Sequence, residues 1–136
     1  MVGIVVASHS HLLAEGVVEV AEMTAPGVPI IAAGGMDDGS TGTSCRKIIG
    51  AVKKVYSEEG VAILADIGSS ILTAEMAIEI LKRPKLKIVD CPLVEGAVIA
   101  AIESKLGKSL DEIEMSAIRA RSIRKLSDCN LTQTAG

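Results

Sequence analysis

Aromatic residues are almost missing from this chain: among 136 residues there is no Phe, no Trp, and a single Tyr, Tyr56. A protein that grips single-stranded nucleic acid by stacking needs several aromatic platforms, which this composition cannot supply. The formal charge of −3 leaves no basic footprint for DNA or RNA. No apolar run approaches the roughly 18 residues that span a membrane, so no membrane insertion is expected. The Met-Val-Gly start carries no charged n-region, and no secretory signal is expected either. Cys45, Cys91 and Cys129 are widely spaced and form neither a CxxC pair nor a disulfide framework. Reduced thiols in a cytoplasmic protein are the reading that follows. Cys91 closes an apolar run and reads as a small buried hydrophobe.

What is present is aliphatic. Ala, Val, Ile and Leu build most of the 49% apolar fraction, and the length suffices for one domain with a real core. Apolar runs at Val2–Ala7, Pro29–Ala33, Val61–Ala65 and Leu86–Cys91 read as buried strands, with Pro29 tolerated at a strand's first residue. Between them lie helical patterns. The first runs from about Leu12 to Met23, with Leu13, Val17, Val20 and Ala21 as its apolar stripe. The second runs from about Thr43 to Ser57, turning Ile48, Ile49 and Val52 inward, with Gly60 as its stop. Further helices are expected near Ser70–Leu81, Glu95–Leu106 and Leu110–Lys125, the last capped by Ser109 or Asp111.

Strands alternating with helices predict an α/β fold: an open parallel sheet with right-handed crossovers and helices on both faces. Near-continuous apolar strands fit a sheet covered on both sides. With no linker and no internal repeat, one domain is expected over residues 1–126, followed by a polar, mobile tail at 127–136.

Three strand–helix junctions carry residues with chemistry: Ser8-His9-Ser10, the Gly34–Gly42 loop, and Asp66-Ile67-Gly68-Ser69-Ser70. In a parallel sheet all strand C-termini share one edge, and ligands bind there. If the first and third strands are neighbours, His9 and Asp66 face each other across a crevice. A carboxylate bonded to one imidazole nitrogen fixes the tautomer and frees the other nitrogen as nucleophile. A helix N-terminus beside it suits an anion such as a phosphoryl group. The residues alone leave plainer readings open. His9 can be structural, Asp66 can cap a turn, and Ser69 and Ser70 can cap a helix. The Gly34–Gly42 loop lacks the Gly-Lys-Ser/Thr of a phosphate-binding loop, and Asp37-Asp38 suits either a cation or plain solvent. His11 reads as a solvent-facing first-turn residue, and Arg119, Arg121, Arg124 and Lys125 as a solvated face.

The ordered set is more specific than its parts. It comprises Val6-Ala7-Ser8-His9-Ser10 with Glu15-Gly16-Val17, Ala32-Ala33-Gly34 with Asp37-Asp38 and Gly42-Thr43, then Ala65-Asp66-Ile67-Gly68-Ser69, Ala74-Glu75, and Cys91-Pro92-Leu93-Val94-Glu95-Gly96. From Val2 to about Ala120 it resembles the phosphotransfer subunits of phosphoenolpyruvate-dependent dihydroxyacetone kinases, which contain a domain similar to enzyme IIA of the mannose-type phosphotransferase system. The resemblance implies a parallel sheet in the order 2-1-3-4 and a homodimer. It implies His9 as the phosphorylated residue and Asp66 as its hydrogen-bond partner. Ser10, Gly68 and Ser69 are suited to stabilise the phosphoryl group. It further implies phosphoryl transfer from the carrier protein HPr to ADP held on the kinase's nucleotide-binding subunit, with no metal and no cofactor on this chain. Some members carry further carrier-protein-like domains; a chain ending at Gly136 is expected to lack them. Two alternatives stand beside this reading: an enzyme IIA domain of a mannose-type sugar transporter, and a non-catalytic module that binds an anion or nucleotide. The lack of an apolar alternating run after Arg119 argues against the transporter branch, whose domains add a C-terminal strand.

Overall fold

Each apolar run becomes a strand because it can be buried on both sides. β1 (Gly3–Ser8), β2 (Ile30–Gly34), β3 (Val61–Ala65) and β4 (Leu86–Val89) form one parallel sheet in the order β2-β1-β3-β4. The computed structural model describes residues 1–127, so the expected mobile tail lies, apart from Ser127, outside the described residues. Alternate residues of each strand face opposite cores. Ile4, Val6, Ala62 and Leu64 pack under α1 (His11–Thr24), α4 (Leu93–Lys105) and α5 (Leu110–Arg119). Val5, Ala7, Ile63 and Ala65 pack under α2 (Cys45–Val55) and α3 (Gly68–Leu81). In register, Ala7 stands between Ala33 and Ala65, and Ser8 lies beside Gly34. The strand order reverses at β1, which opens a crevice between the C-terminal ends of β1 and β3.

Serine hydroxyls start three helices by accepting a first-turn N–H: Ser10 for α1, Ser44 for α2 and Ser109 for α5. Ser109 forms a full capping box with Glu112, and Asp111 instead pairs with Lys87 at 2.6 Å. Several boundaries differ from the sequence expectation. The last helix ends at Arg119 rather than near Lys125, and a single 3₁₀ turn, Ala120–Ser122, follows. Arg121 there donates to the Asp90 carbonyl at 2.6 Å and pairs with its carboxylate at 3.2 Å. Those bonds draw the chain onto the β4–α4 connection, and Lys125 reaches Glu95 at 3.2 Å. β4 stops at Val89, because Cys91 lies in the turn that Pro92 closes as the N-cap of α4. Cys91 is only partly buried, yet burial, with the Asp90 charge behind it, pushes its thiol up to about 11. Its side chain packs against the core under α1 and α4.

The buried stripe of α1 is Ala14, Val17, Val18 and Ala21, so Leu13 and Val20 face outward, contrary to expectation. The physical reason is close approach: small residues let the helix sit low on the sheet. Gly34 completes the fit. A Cβ there would stand 2.5 Å from the Ser10 carbonyl oxygen and 2.6 Å from the Ala14 Cβ. Gly34→Ala should therefore lower stability by about 1–3 kcal/mol through overpacking. Urea unfolding should show a lower midpoint with unchanged slope. Gly68→Ala, where nothing lies within 4 Å of the added carbon, should stay within about 0.5 kcal/mol.

Candidate active site

Five hydrogen bonds converge on one carboxylate at the β1–β3 crevice. Asp66 Oδ2 accepts from the Ser8 hydroxyl at 2.9 Å and the His9 backbone N–H at 3.0 Å. Asp66 Oδ1 accepts from the Ile67 N–H at 2.7 Å, the Ser70 hydroxyl at 2.7 Å, and His9 Nδ1 at 3.0 Å. Burial pushes the Asp66 carboxyl up. Hydrogen bonds from the His9 amide, Ser70, the Ile67 amide and the His9 ring outweigh it and hold the group well below the usual carboxylate range. An ionised carboxylate has no proton to give, so Nδ1 must be the donor. The ring is thereby set as the Nδ1–H tautomer, and Nε2 carries the lone pair.

That lone pair meets the Ser69 hydroxyl, which donates to Nε2. Ser69 belongs to the first turn of α3, whose N-cap Ile67 makes no side-chain capping bond. The first N–H groups of a helix have no partner within it, and the dipole there is positive. Gly68 leaves open space around that end. Nε2 thus lies beside the first turn of a helix whose N-terminus has no side-chain cap. His9 itself is 27% exposed at its side chain, reachable but not adrift.

Of the residues expected to act here, His9, Asp66 and Ser69 come together, and Gly68 opens α3 beside them. The Ser10 hydroxyl is engaged elsewhere: it accepts from the Leu13 N–H as the cap of α1, while the Ser10 N–H donates to Ser8 Oγ at 2.9 Å. His11 is exposed and lines a separate groove with Glu15, Gly34, Lys47 and Lys54. Asp37 and Asp38 brace their own loop, through Ser44 at 3.0 Å and the Ser40 N–H at 2.9 Å. Among the described residues no group of three or more His, Cys, Asp or Glu is placed to hold a metal. A cavity of about 410 Å³ between Lys85, Lys87 and Ser109 lies by the start of β4, far from this edge.

Three contributors escaped the sequence reading. Ser8 and Ser70 are fully buried and both donate to Asp66. Thr43 Oγ1 lies 2.7 Å from Ser70 Oγ and, since the Ser70 proton goes to Asp66, Thr43 is the donor in that pair. The Gly42 N–H donates to the His9 carbonyl at 2.8 Å, so the β2–α2 loop is tied to both sides of the crevice.

A family model described as "PTS system fructose IIA component" (EIIA-man) matches residues 3–114. The chain belongs to the EIIA-man family. Among EIIA-man relatives, the phosphoryl donor subunit DhaM of the PEP-dependent dihydroxyacetone kinase 2 of Listeria innocua is 41% identical over 117 residues. That match covers 83% of this chain and 94% of that subunit. The DhaM subunit of Escherichia coli is 33% identical over 132 residues, which is 92% of this chain but 28% of that longer protein. The solved structure of a protein of unknown function, EF1359, has a TM-score of 0.77 and 30% identity, covering 88% of this chain and 94% of its own.

Proposed function

We propose that this EIIA-man chain is a phosphohistidine relay, the phosphoryl donor subunit of a phosphoenolpyruvate-dependent dihydroxyacetone kinase. His9 takes the phosphoryl group from phospho-HPr and passes it to ADP held on the nucleotide-binding subunit. The observation that carries this reading is the Asp66-held Nδ1–H, which leaves the Nε2 lone pair at the uncapped start of α3. The names of the DhaM relatives supply the substrate side.

In the charging step Nε2 attacks phosphorus in line. A P–Nε2 bond forms as the bond to the donor's histidine breaks, and that histidine leaves with its electron pair. The transition state is loose, so the chain's task is positioning and charge stabilisation. Ser69 swings its proton from Nε2 to a phosphoryl oxygen, and the Gly68 and Ser69 N–H groups add their dipoles. Ser10 acts through the cap it gives α1. Asp66 offsets the positive charge of the phosphorylated ring. The discharge step runs the same way with an ADP oxygen as nucleophile. HPr and its phosphoenolpyruvate-driven carriers place this work in the cytoplasm.

The test is incubation with phosphoenolpyruvate and the general carrier proteins. An acid-labile, base-stable adduct on His9 supports the relay, and no adduct leaves only an anion-binding module. Charged protein is then offered to the kinase subunit with ADP and, separately, to a mannose-type IIB domain. Transfer to the second alone would make the chain a transporter component.

The chain also acts as a homodimer in this reading. α3 presents Leu72, Met76 and Ile80 at 55–63% exposure, four residues apart, as one apolar ridge. Sedimentation equilibrium at micromolar concentration should show dimer, and monomer alone would overturn the claim.

A further inference from the structure

The His9 ring is held by hydrogen bonds rather than by packing. Its side chain is partly exposed and belongs to neither core. In the transfer step Ser69 turns its proton from Nε2 to a phosphoryl oxygen, so at that moment the ring hangs on Nδ1. A single bond from Nδ1–H to Asp66 Oδ1 would leave the imidazole free to pivot about it. A displacement of about 1 Å at the reacting nitrogen costs roughly 10²-fold in rate.

A second acceptor opposes that pivot. Ser70 Oγ lies 3.0 Å from Nδ1, as far as Asp66 Oδ1 does, and the two oxygens are 2.7 Å apart. Nδ1–H thus points between two oxygens. The carboxylate is kept from turning away, because Oδ2 accepts from the Ser8 hydroxyl and the His9 N–H. Ser70 needs an anchor of its own. A hydroxyl has one proton and two lone pairs. The Ser70 proton goes to Asp66 and one lone pair receives Nδ1–H, which leaves the other lone pair to be met. Ser70 is fully buried, and a buried acceptor without a donor is costly. Thr43 is that donor, 2.7 Å away. The cap of α2 is Ser44, whose side chain accepts the Lys47 N–H, so the Thr43 hydroxyl is left for Ser70. The preceding residue, Gly42, donates to the His9 carbonyl at 2.8 Å. One loop therefore holds the His9 backbone directly and its ring through Ser70.

We propose that Thr43 is a positioning residue for phosphoryl transfer: its hydroxyl sets Ser70, and Ser70 with Asp66 sets the plane of the His9 imidazole. This rests on the relay reading above. Thr43 acts through Ser70, so its loss changes how often Nε2 stands in line with phosphorus and leaves the partners' docking surface as it was. The effect falls on kcat, in charging and discharge alike, because the same nitrogen serves both.

The test begins with wild type and phospho-HPr, which examines the relay by itself. Thr43→Val then removes the hydroxyl and keeps the branched shape. It should lower kcat about 10-fold for charging and for discharge to the nucleotide-binding subunit with ADP, with KM for either partner within about 2-fold of wild type. Thr43→Ser, which restores the hydroxyl, should bring kcat back to within about 2-fold. In the uncharged protein the His9 Nδ1–H proton, followed by NMR, should exchange with solvent about 10-fold faster in Thr43→Val than in wild type or Thr43→Ser. A Thr43 that only fills space gives the opposite ranking, with the Val variant active and the Ser variant impaired, and would overturn the proposal. So would a defect in Thr43→Val that lies in KM alone. Wild type that takes no phosphoryl group on His9 removes the relay reading and this inference together. A charged wild type beside a fully active Val variant removes this inference alone. Circular dichroism establishes folding, and Thr43→Ala, smaller and also without the hydroxyl, carries the test if Thr43→Val does not fold.

Discussion

His9→Ala should abolish phosphoryl transfer in both directions and leave no adduct detectable by mass spectrometry. The imidazole is the nucleophile itself, so no neighbouring group can take over: the Ser70 proton stays committed to Asp66, and Ser69 loses with the ring the base that its hydroxyl bonds. The fold should survive. His9 belongs to neither core, and Asp66 keeps four of its five donors, including the His9 backbone N–H, which alanine retains. The loss of one bond to a charged group is worth about 1.5–3 kcal/mol, well inside the stability of a domain this size. His11→Ala is the matched control. Its side chain is exposed and belongs to another groove, so transfer should remain near wild type. An active His9→Ala beside an inactive His11→Ala would move the site.

The strands were readable because burial on both faces demands short unbroken aliphatic runs bounded by turn residues; the similar run Ala97–Ile102 is told apart by the length of the helical segment around it. Helix faces were harder. In α1 and α3 both sides are apolar, so periodicity alone does not say which is inside. Leucine is the expected core residue, yet alanine is buried: Ala14 and Ala21 in α1, Ala74 and Ala77 in α3, with Leu12, Leu72 and Met76 outside. Close helix–sheet packing selects small residues, and that distance is a tertiary fact. The site divides in the same way. His9 and Asp66 stand at strand ends, where sequence order alone places chemistry. Ser8, Ser70 and Thr43 look like ordinary turn and cap residues. Their roles arise from contacts spanning 58 positions for Ser8 with Asp66 and 27 for Thr43 with Ser70. Serine before a helix is a cap in most settings, and here α3 forgoes a side-chain cap so that Ser69 and Ser70 can face His9 and Asp66.

Asp66→Asn should slow phosphorylation by about 10²–10⁴-fold, the scale set by a carboxylate that orients and stabilises a catalytic imidazole. The bond pattern shows why an isosteric amide fails. With its oxygen at the Oδ1 position, asparagine still accepts from Ile67, Ser70 and His9 Nδ1. Its NH₂ then faces the His9 backbone N–H, donor against donor, at a distance that was 3.0 Å for a bond. Flipping the amide removes that conflict and creates a worse one, because NH₂ now opposes Nδ1–H and favours the Nε2–H tautomer. That tautomer has no lone pair at the reacting nitrogen. Neither orientation carries the charge that offsets the phosphorylated ring. The stability readout has a definite sign. The folded-state pKa of Asp66 is depressed, so its contribution is fully present above the unfolded carboxylate value of about 3.9 and is lost as pH falls below it toward the folded value. Wild type should therefore exceed Asp66→Asn in unfolding free energy by a constant margin from pH 7 to about pH 5, and that margin should shrink below about pH 4. Urea titrations at a series of pH values measure it. An unchanged transfer rate in the variant, or a margin that grows on acidification, would remove Asp66 from the role assigned to it.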